Sequence, residues 1–486
     1  MTDSAVLLPG ETCWRIDRAD RLRLIVDGAD YFRAVKRAML AARQTIMMIG
    51  WDFDTRVAFE PEGATMEGPN ELGPFMKWMA ENREDVDVYM LKWDLGTFQA
   101  LWRGMVPMAL RPIRAADNFH FKFDTEHPAG AAHHSKVIVV DDHVAFCGGI
   151  DLTAGRWDNP EHLDDQPHRH MPGDDTPSKP WHDVTTAVSG PLAAALGDLG
   201  RQRWFRATGE ALDPPGRCDG GAWPDLDPTF RDIPVAIART YPDHNEHPEV
   251  REIEALYLRA IERAERSFYV ETQYLASGRI ARAIAARLSE PEGPEFVVIM
   301  PQTSEGWLRQ KAMDGAREKL LRFLWANDPH DRFRAYYPVT TSGAAIYVHA
   351  KVLIVDDCLL RVGSSNLNNR SMGFDTECDV AVEAEACPDP KAVSRTLAEL
   401  RYDLVAEHLG LDRAALEAAW GEAGMIGAIE RLRGSGKTLH AFDRGEISED
   451  NSILSENDLA DPEAVEDGLL DRFTDGIRDL FREGAR

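Results

Sequence analysis

Long apolar runs are missing from this 486-residue chain: no stretch reaches the ~18 uninterrupted apolar residues of a membrane-spanning helix. The opening segment, MTDSAVLLPGETCWRIDRADRLRL, also lacks a basic stretch followed by a long apolar core, so no secretory signal is expected. A cytoplasmic protein, peripheral where it meets a membrane, is the expectation. Positive charge is in deficit, with 55 Lys and Arg against 82 Asp and Glu for a net charge of −27. Sequence-independent nucleic-acid binding runs on dense Lys/Arg contacts to phosphate, so no nucleic-acid partner is expected. Cysteine is sparse as well. The six residues Cys13, Cys147, Cys218, Cys358, Cys378 and Cys387 form no C-x-x-C pair and no Cys/His cluster at zinc-ligand spacing. Neither a disulfide framework, a metal nor a cofactor is expected from them. What is present is a globular composition, 44% hydrophobic and 8% aromatic, and a length that suits roughly two to four domains or two large lobes.

The chain repeats itself. Residues 134–152, HSKVIVVDDHVAFCGGIDL, align without a gap to residues 349–367, HAKVLIVDDCLLRVGSSNL, at a constant offset of 215 with eight identities. Upstream of each copy an amphipathic stretch runs into an apolar one, at 31–54 and 254–277. In the first, Phe32, Val35, Met39 and Ala42 fall at helical spacing before a strand-like Thr45–Ile49; in the second, Tyr257, Ile261 and Ala264 precede Ser267–Val270. Downstream, each copy has a carboxylate leading a β-rich run, DVTTAV at 183–188 and ECDVAV at 377–382. Helix, strand, motif and strand thus recur in order, predicting an α/β fold of two similar α/β/α sandwich lobes related by internal duplication, with an active site at their interface. The expected divisions are a first lobe over 1–206, a Pro/Gly/Asp-rich linker over 207–248, a second lobe over 249–420 and an acidic tail over 421–486. Nine of the 27 net negative charges lie from 443 onward, where Leu470, Phe473, Ile477 and Phe481 mark one face of a helix-like piece read as docked on the body.

Each copy carries H-x-K-x4-D in a strand-like run. Alternation sends His134, Lys136 and Ile138 to one face and Val137 and Val139 to the other. One such His–Lys pair is ordinarily a solvated edge, but two matching copies, each followed by a Gly turn and an Asp or Asn (Asp151, Asn366), are not. Two imidazoles facing each other across a pseudo-twofold, each beside an ammonium, suit phosphoryl transfer. One attacks phosphorus, the other delivers a proton to the leaving oxygen, and Lys136 and Lys351 neutralise the charged oxygens without a metal. Asp141 and Asp356 belong to the same motifs, yet an odd spacing from their histidines sends them to the opposite strand face, as anchors of the motif.

HSKVIVVD with GGIDLTAGRWD, and HAKVLIVD with GSSNLNNRSMGFDTE, resemble the paired motifs of the phospholipase D superfamily, and the phospholipase D enzymes more than the nuclease branch. PWHDVTTAVSGP at 180–191 and YVETQYLAS at 269–277 are similar to further pieces of that family, so the resemblance covers roughly residues 30–410. It implies a ping-pong reaction with His134 as nucleophile and His349 as general acid, then base. It also implies that Lys136, Lys351 and Asn366 hold phosphate oxygens, with Asp151 at the matching place in the first copy, where a carboxylate must be protonated or turned away to do so. Asp183 and Glu377 are the expected carboxylates that orient the imidazoles. The implied partners are a glycerophospholipid at a membrane surface and a water or alcohol acceptor; oligomeric state is left open.

Other signals are weaker. GSGKT at 434–438 is preceded by Arg431 where a phosphate-binding loop requires its first glycine. The histidines His162, His168, His170 and His182 fall in or beside a Pro/Asp-rich insertion, 155–181, and read as loop residues in preference to metal ligands. Trp51, Asp52, Gln273 and Tyr274 end equivalent strands of the two halves, at the expected mouth of the site.

Overall fold

Two short apolar runs rich in β-branched residues, Val137–Val140 and Val352–Val355, are buried at every residue, as strands covered on both faces require. They lie at equivalent places in a large mixed sheet. The computed structural model describes residues 5–93, 116–172, 176–216, 223–305 and 313–444. The first half contributes β1 (Arg15–Val26), α1 (Gly28–Leu40), β2 (Thr45–Gly50), α2 (Leu72–Asn82), β3 (Asp87–Trp93), β4 (Phe119–Asp124), β5 (Val137–Val140), β6 (Val144–Gly148), β7 (Trp181–His182), β8 (Val184–Ser189) and α3 (Pro191–Thr208). The second contributes β9 (Phe230–Tyr241), β10 (Val250–Arg251), α4 (Glu252–Arg263), β11 (Ser267–Glu271), α5 (Gly278–Leu288), β12 (Glu295–Ile299), α6 (Gly315–Ala326) and β13 (Phe333–Val339). It continues with β14 (Tyr347–Val348), β15 (Val352–Val355), β16 (Leu359–Gly363), β17 (Glu377–Glu383), α7 (Pro390–Leu409), α8 (Arg413–Leu432) and β18 (Thr438–Ala441).

The strand order β18-β13-β12-β11-β15-β16-β17-β9-β1-β8-β6-β5-β2-β3-β4 reads the same from either end, apart from the added β18. The halves meet where the twelve-residue strands β1 and β9 pair antiparallel, Ile16 opposite Ala236 and Leu22 opposite Phe230. The duplication therefore produces one continuous sheet with two like lobes. Val137 and Val139 enter a core shared by both lobes with α3, α7 and α8, whereas Ile138 and Val140 pack into the first lobe's own core with α1 and α2. A third core, under α4, α5 and α6, belongs to the second lobe.

The structure departs from the expected divisions at two places. The segment 207–248, read as linker, contains the seam strand β9, whose Val235, Ala236, Ile237 and Ala238 have no exposed surface. Its Pro- and Gly-rich first part masked an apolar second part with Pro234 at its centre, a residue that ordinarily argues against a central strand. The segment 421–486, read as tail, begins inside the body: α8 crosses residue 420 and β18 extends the sheet beside β13. GSGKT is the turn into β18, where Thr438 Oγ1 accepts the Gly434 N–H at 3.0 Å. The helix-like piece carrying Leu470, Phe473, Ile477 and Phe481 lies outside the described residues. No helix of the described residues is long and apolar enough to cross a membrane.

Candidate active site

His134 and Lys136 lie just ahead of β5, and His349 and Lys351 just ahead of β15; the strands proper begin one residue after each lysine. The approach to each strand is held by the other lobe. The His134 N–H donates to Thr376 O at 2.8 Å, and the His349 N–H donates to His182 O at 2.8 Å. Thr376 and His182 directly precede the two candidate carboxylates, so each backbone bond sets a carboxylate beside the opposite imidazole. His134 Nδ1 lies 3.1 and 3.0 Å from the two oxygens of Glu377. His349 Nδ1 lies 2.7 Å from Asp183 Oδ2. Both pairs therefore cross the lobe interface. An ionised carboxylate on Nδ1–H leaves Nε2 as the free, basic nitrogen.

The lysines curl back onto their own motifs: Lys136 Nζ donates to His134 O at 2.8 Å, and Lys351 Nζ donates to His349 O. Asp151 Oδ2 lies 3.0 Å from Lys136 Nζ, and its Oδ1 accepts the Trp51 N–H at 3.2 Å. The structure thus makes Asp151 the counter-ion of Lys136, which answers how a carboxylate is accommodated where a phosphate ligand was expected. Asn366 is buried, its amide N–H donating to Ser371 Oγ at 3.0 Å and its side-chain nitrogen 3.5 Å from Gln273 Oε1. Asn366 Oδ1 has no hydrogen-bond partner among the described residues.

The motif aspartates stand apart from the imidazoles. Asp141 accepts the N–H groups of Arg43, Gln44 and Thr45, each at 2.8 Å, and Asp356 accepts those of Glu265, Arg266 and Ser267 at 2.6–2.8 Å. Each staples the hairpin after its motif to the turn between the preceding helix and strand. Their φ angles of 53° and 51°, followed by 55° and 57° at Asp142 and Asp357, suit a tight hairpin. Although both belong to the histidine–lysine motifs, the hydrogen bonds of these carboxylates run to backbone amides and not to an imidazole.

The two halves of the site differ electrostatically. Burial alone would raise Glu377, but the charge of His134 and hydrogen bonds from His134, Ser364 and Ser371 hold its carboxyl at about 2. Burial raises Asp183 above the usual carboxylate range despite the Lys351 charge. Burial also drives His349 well below an ordinary imidazole, helped by the positive charges of Lys351, Arg156, Lys136 and His134. Lys351 is pushed down by the same burial and held up by Asp183.

Several residues around the imidazoles were not singled out in the sequence. Ser364 Oγ and Ser371 Oγ donate to the two oxygens of Glu377 at 2.5 and 2.6 Å. Trp181 stacks on Tyr347 at 4.6 Å, lies 5.2 Å from the His349 ring and carries the Arg156 guanidinium 3.8 Å above its own ring. Trp181 lies in PWHDVTTAVSGP, Ser364 and Ser371 in GSSNLNNRSMGFDTE and Arg156 in GGIDLTAGRWD, without a chemistry of their own to mark them, and Tyr347 falls two residues ahead of the second motif. Of the residues expected at the mouth, Trp51 packs edge-on 6.3 Å from His134 and Gln273 donates to the Tyr347 hydroxyl at 2.9 Å. Asp52 turns to Lys92 and Thr153, and Tyr274 is buried. The four histidines of the insertion separate: His162 and His182 are buried together among carboxylates, whereas His168 lies edge-on to Trp157 and His170 is exposed.

A duplicated α/β fold with crossed histidine–carboxylate pairs defines the class, and the chain belongs to the phospholipase D superfamily. The family profile described as Phospholipase D matches residues 38–214, and that described as Cardiolipin synthase, PLD-like domain, matches residues 257–401. Among curated proteins the chain is similar to phospholipase D alpha 1 of Carica papaya, 25% identical over 484 residues covering 71% of this chain and 59% of the relative. It is also similar to phospholipase D1 of Schizosaccharomyces pombe, at 24% identity over 81% of this chain and 36% of the relative. The chain thus spans about 59% of the length of the plant relative. Among solved structures, a phosphatidylserine synthase from Haemophilus influenzae superposes with a TM-score of 0.51 at 12% identity, covering 79% of this chain and 86% of its own, a likeness of fold.

Proposed function

We propose that this protein is a phospholipase D-type phosphodiesterase that hydrolyses the distal phosphodiester of glycerophospholipids to phosphatidate and a free alcohol, with transfer to an acceptor alcohol as a second outcome. The observation that carries this reading is the pair of crossed His–carboxylate contacts, His134 with Glu377 and His349 with Asp183, flanked by Lys136 and Lys351. In the reaction, His134 Nε2 attacks phosphorus while the bond from phosphorus to the headgroup oxygen breaks. His349 gives its Nε2 proton to that oxygen, leaving phosphatidyl-His134. His349 then removes a proton from water, which attacks phosphorus and frees His134. The lysines, with Asn366, stabilise charge on the non-bridging oxygens.

The low affinity of free His349 for a proton fits this cycle. Its depression is due to burial and to the cations around it, and a phosphodiester anion among those cations raises the proton affinity of the imidazole. Protonation of the acid is thereby tied to substrate binding. The order of roles, His134 first, follows the superfamily resemblance.

Vesicles of phosphatidylcholine, phosphatidylethanolamine and phosphatidylglycerol, incubated with the enzyme and analysed for lipid and alcohol products, test the proposal. Phosphatidate with free headgroup is expected, and a phosphatidyl alcohol when ethanol is added. Diphosphatidylglycerol from phosphatidylglycerol supports the second reading, a cardiolipin synthase-like phosphatidyltransferase, which is favoured by the profile matched over 257–401. Cleavage of DNA with no turnover of any lipid would overturn both.

A further inference from the structure

Behind the active site, outside the reacting groups, lies a buried cluster from four parts of the chain. Asp27 follows β1, His162 comes from the 155–181 insertion, His182 ends β7 and Glu407 lies on α7 of the second lobe. His162 Nε2 is 3.5 Å from Asp27 Oδ2 and 3.2 Å from Glu407 Oε1. His182 Nδ1 is 3.5 Å from Asp27 Oδ1 and 3.0 Å from the same Glu407 oxygen. The side chains of Asp27, His162 and His182 have no exposed surface, and Glu407 is 12% exposed.

Three features point to a ligand. First, the three separations His162 Nε2–Asp27 Oδ2, His162 Nε2–Glu407 Oε1 and His182 Nδ1–Glu407 Oε1 suit edges of a tetrahedron around an ion bound at ~2.0–2.1 Å, which are about 3.3–3.4 Å long. Second, both imidazoles have their remaining nitrogen on a further buried carboxylate, His162 Nδ1 on Asp158 Oδ2 at 3.0 Å and His182 Nε2 on Glu271 Oε2 at 2.8 Å. That is the arrangement by which outer carboxylates fix the tautomer of metal-bound histidines. Asp158 is itself held by the Arg169 guanidinium and the Trp181 N–H, and Glu271 by the Tyr269 hydroxyl and His408. Third, Asp27 Oδ2 is wholly buried beside His162 and has no hydrogen-bond partner among the described residues. Two imidazolium ions would hydrogen-bond Glu407, Asp158 and Glu271 yet leave that oxygen with only a 3.5 Å ion pair to His162 and no hydrogen bond, whereas a divalent ion supplies the same charge and also bonds it.

We propose that Asp27, His162, His182 and Glu407 bind one zinc ion in a closed, four-coordinate structural site. Two imidazole nitrogens and two carboxylate oxygens are a donor set suited to Zn2+, and burial leaves no open position for a substrate. The ion ties the second lobe, through Glu407, to the segment that carries Asp183. That segment already has three fixed points: Asp27 Oδ1 accepts the Asp183 N–H at 3.0 Å, His182 O accepts the His349 N–H, and Asp183 holds the His349 ring. The ligands are thus positioning residues for the His349 half of the active site. The inference stands apart from the proposed reaction, since it concerns ion binding and needs no turnover.

Elemental analysis of the purified full chain, after zinc loading and desalting, tests it. Close to one zinc per chain is expected, with X-ray absorption showing four N/O ligands at about 2.0–2.1 Å. Chelation should lower the melting temperature by several degrees, and zinc, but not magnesium, should restore it. His162→Gln and Glu407→Gln should each reduce the zinc content to below about one tenth of wild type, while His168→Ala, in the same insertion but outside the cluster, keeps it. Should the ligand variants fail to fold, cobalt-loaded wild type decides the matter by showing or lacking the visible bands of tetrahedral Co2+. Wild-type protein that takes up no zinc, undiminished zinc in both ligand variants, or cobalt without those bands would overturn the site.

Discussion

The first and second lobes supply the same residues to the site but treat them differently. Glu377 is a second-lobe carboxylate that serves a first-lobe imidazole and receives two serine hydroxyls besides. Asp183 is a first-lobe carboxylate that serves a second-lobe imidazole, and its own support is backbone, from the Val184 N–H to Oδ1 at 2.8 Å. Where the second copy has Ser364, the first has Gly149, and a Cβ there would run into Asp183 Oδ1. Lys136 has Asp151 as counter-ion, whereas the matching residue in the second copy is the neutral Asn366. Duplication therefore built a symmetric frame, and substitutions close to the imidazoles gave the two carboxylates different surroundings, with Glu377 held low by its donors and Asp183 raised by burial.

The largest effect should come from the histidines. His134→Ala is expected to remove turnover by on the order of 10^5-fold or more, as loss of a covalent nucleophile does, and His349→Ala by about 10^2–10^4-fold, as loss of a general acid does. An aryl phosphodiester, whose phenolate departs without a proton, separates the two. It should recover most of its rate in His349→Ala and none in His134→Ala; recovery confined to the His134 variant would reverse the roles. Label from a quenched reaction with phosphate-labelled lipid should stay on the protein in His349→Ala and be absent in His134→Ala.

The carboxylates come next. Asp183→Asn and Glu377→Gln should each lower kcat by about 10^2–10^4-fold, because an amide can present the wrong group to Nδ1 and favour the wrong tautomer. Folding of Asp183→Asn should be nearly unchanged, as read from its circular dichroism and melting curve. Near-normal kcat in that variant would remove Asp183 from the mechanism. A smaller change tests the serines, since a hydrogen bond to an ionised group contributes about 1.5–3 kcal/mol. Ser371→Ala should lower kcat by roughly 15–100-fold, within that range, and move the acid limb of the pH–rate profile upward as Glu377 loses a donor. Unchanged kcat and pH profile would show that Glu377 does not rely on it.

Much of this was legible in the sequence, for physical reasons that also mark the limits. Repetition fixed on His134, Lys136, His349 and Lys351 because two copies of one spacing identify polar residues that a single copy does not. The odd spacing of Asp141 and Asp356 correctly sent them away from the imidazoles, although not to the backbone amides they cap. Contacts between distant segments had no such signature. The crossing of Glu377 to His134 and Asp183 to His349 depends on the β1–β9 seam, and β9 was concealed by Pro234 and a Pro/Gly-rich approach. Asp151 could be recognised as misplaced for a phosphate ligand but not as the partner of Lys136. His162 and His182 looked like loop residues because their carboxylates come from residues 27, 158, 271 and 407, which no local pattern connects.

Acid stability gives the finest test of the asymmetry, because the two carboxylates are displaced in opposite directions. Glu377 sits at about 2 in the folded protein, below the ~4.3 of an unfolded chain. As pH falls the unfolded state therefore takes the proton first, so the stability Glu377 provides above about pH 5 is lost toward pH 2, by roughly 3 kcal/mol at most. Asp183 is raised by burial, so its folded form takes the proton first, and its contribution is present below the unfolded value of ~3.9 and declines as pH rises through the folded one. Urea midpoints of wild type, Glu377→Gln and Asp183→Asn, measured from pH 7 down to the acid limit, isolate each group in a difference curve where shared titrations cancel. The wild-type advantage over Glu377→Gln should shrink on acidification, and its advantage over Asp183→Asn should grow. Two difference curves of the same sign would mean that the carboxylates are electrostatically alike, and the division of labour between the histidines would then have to arise from their contacts with substrate.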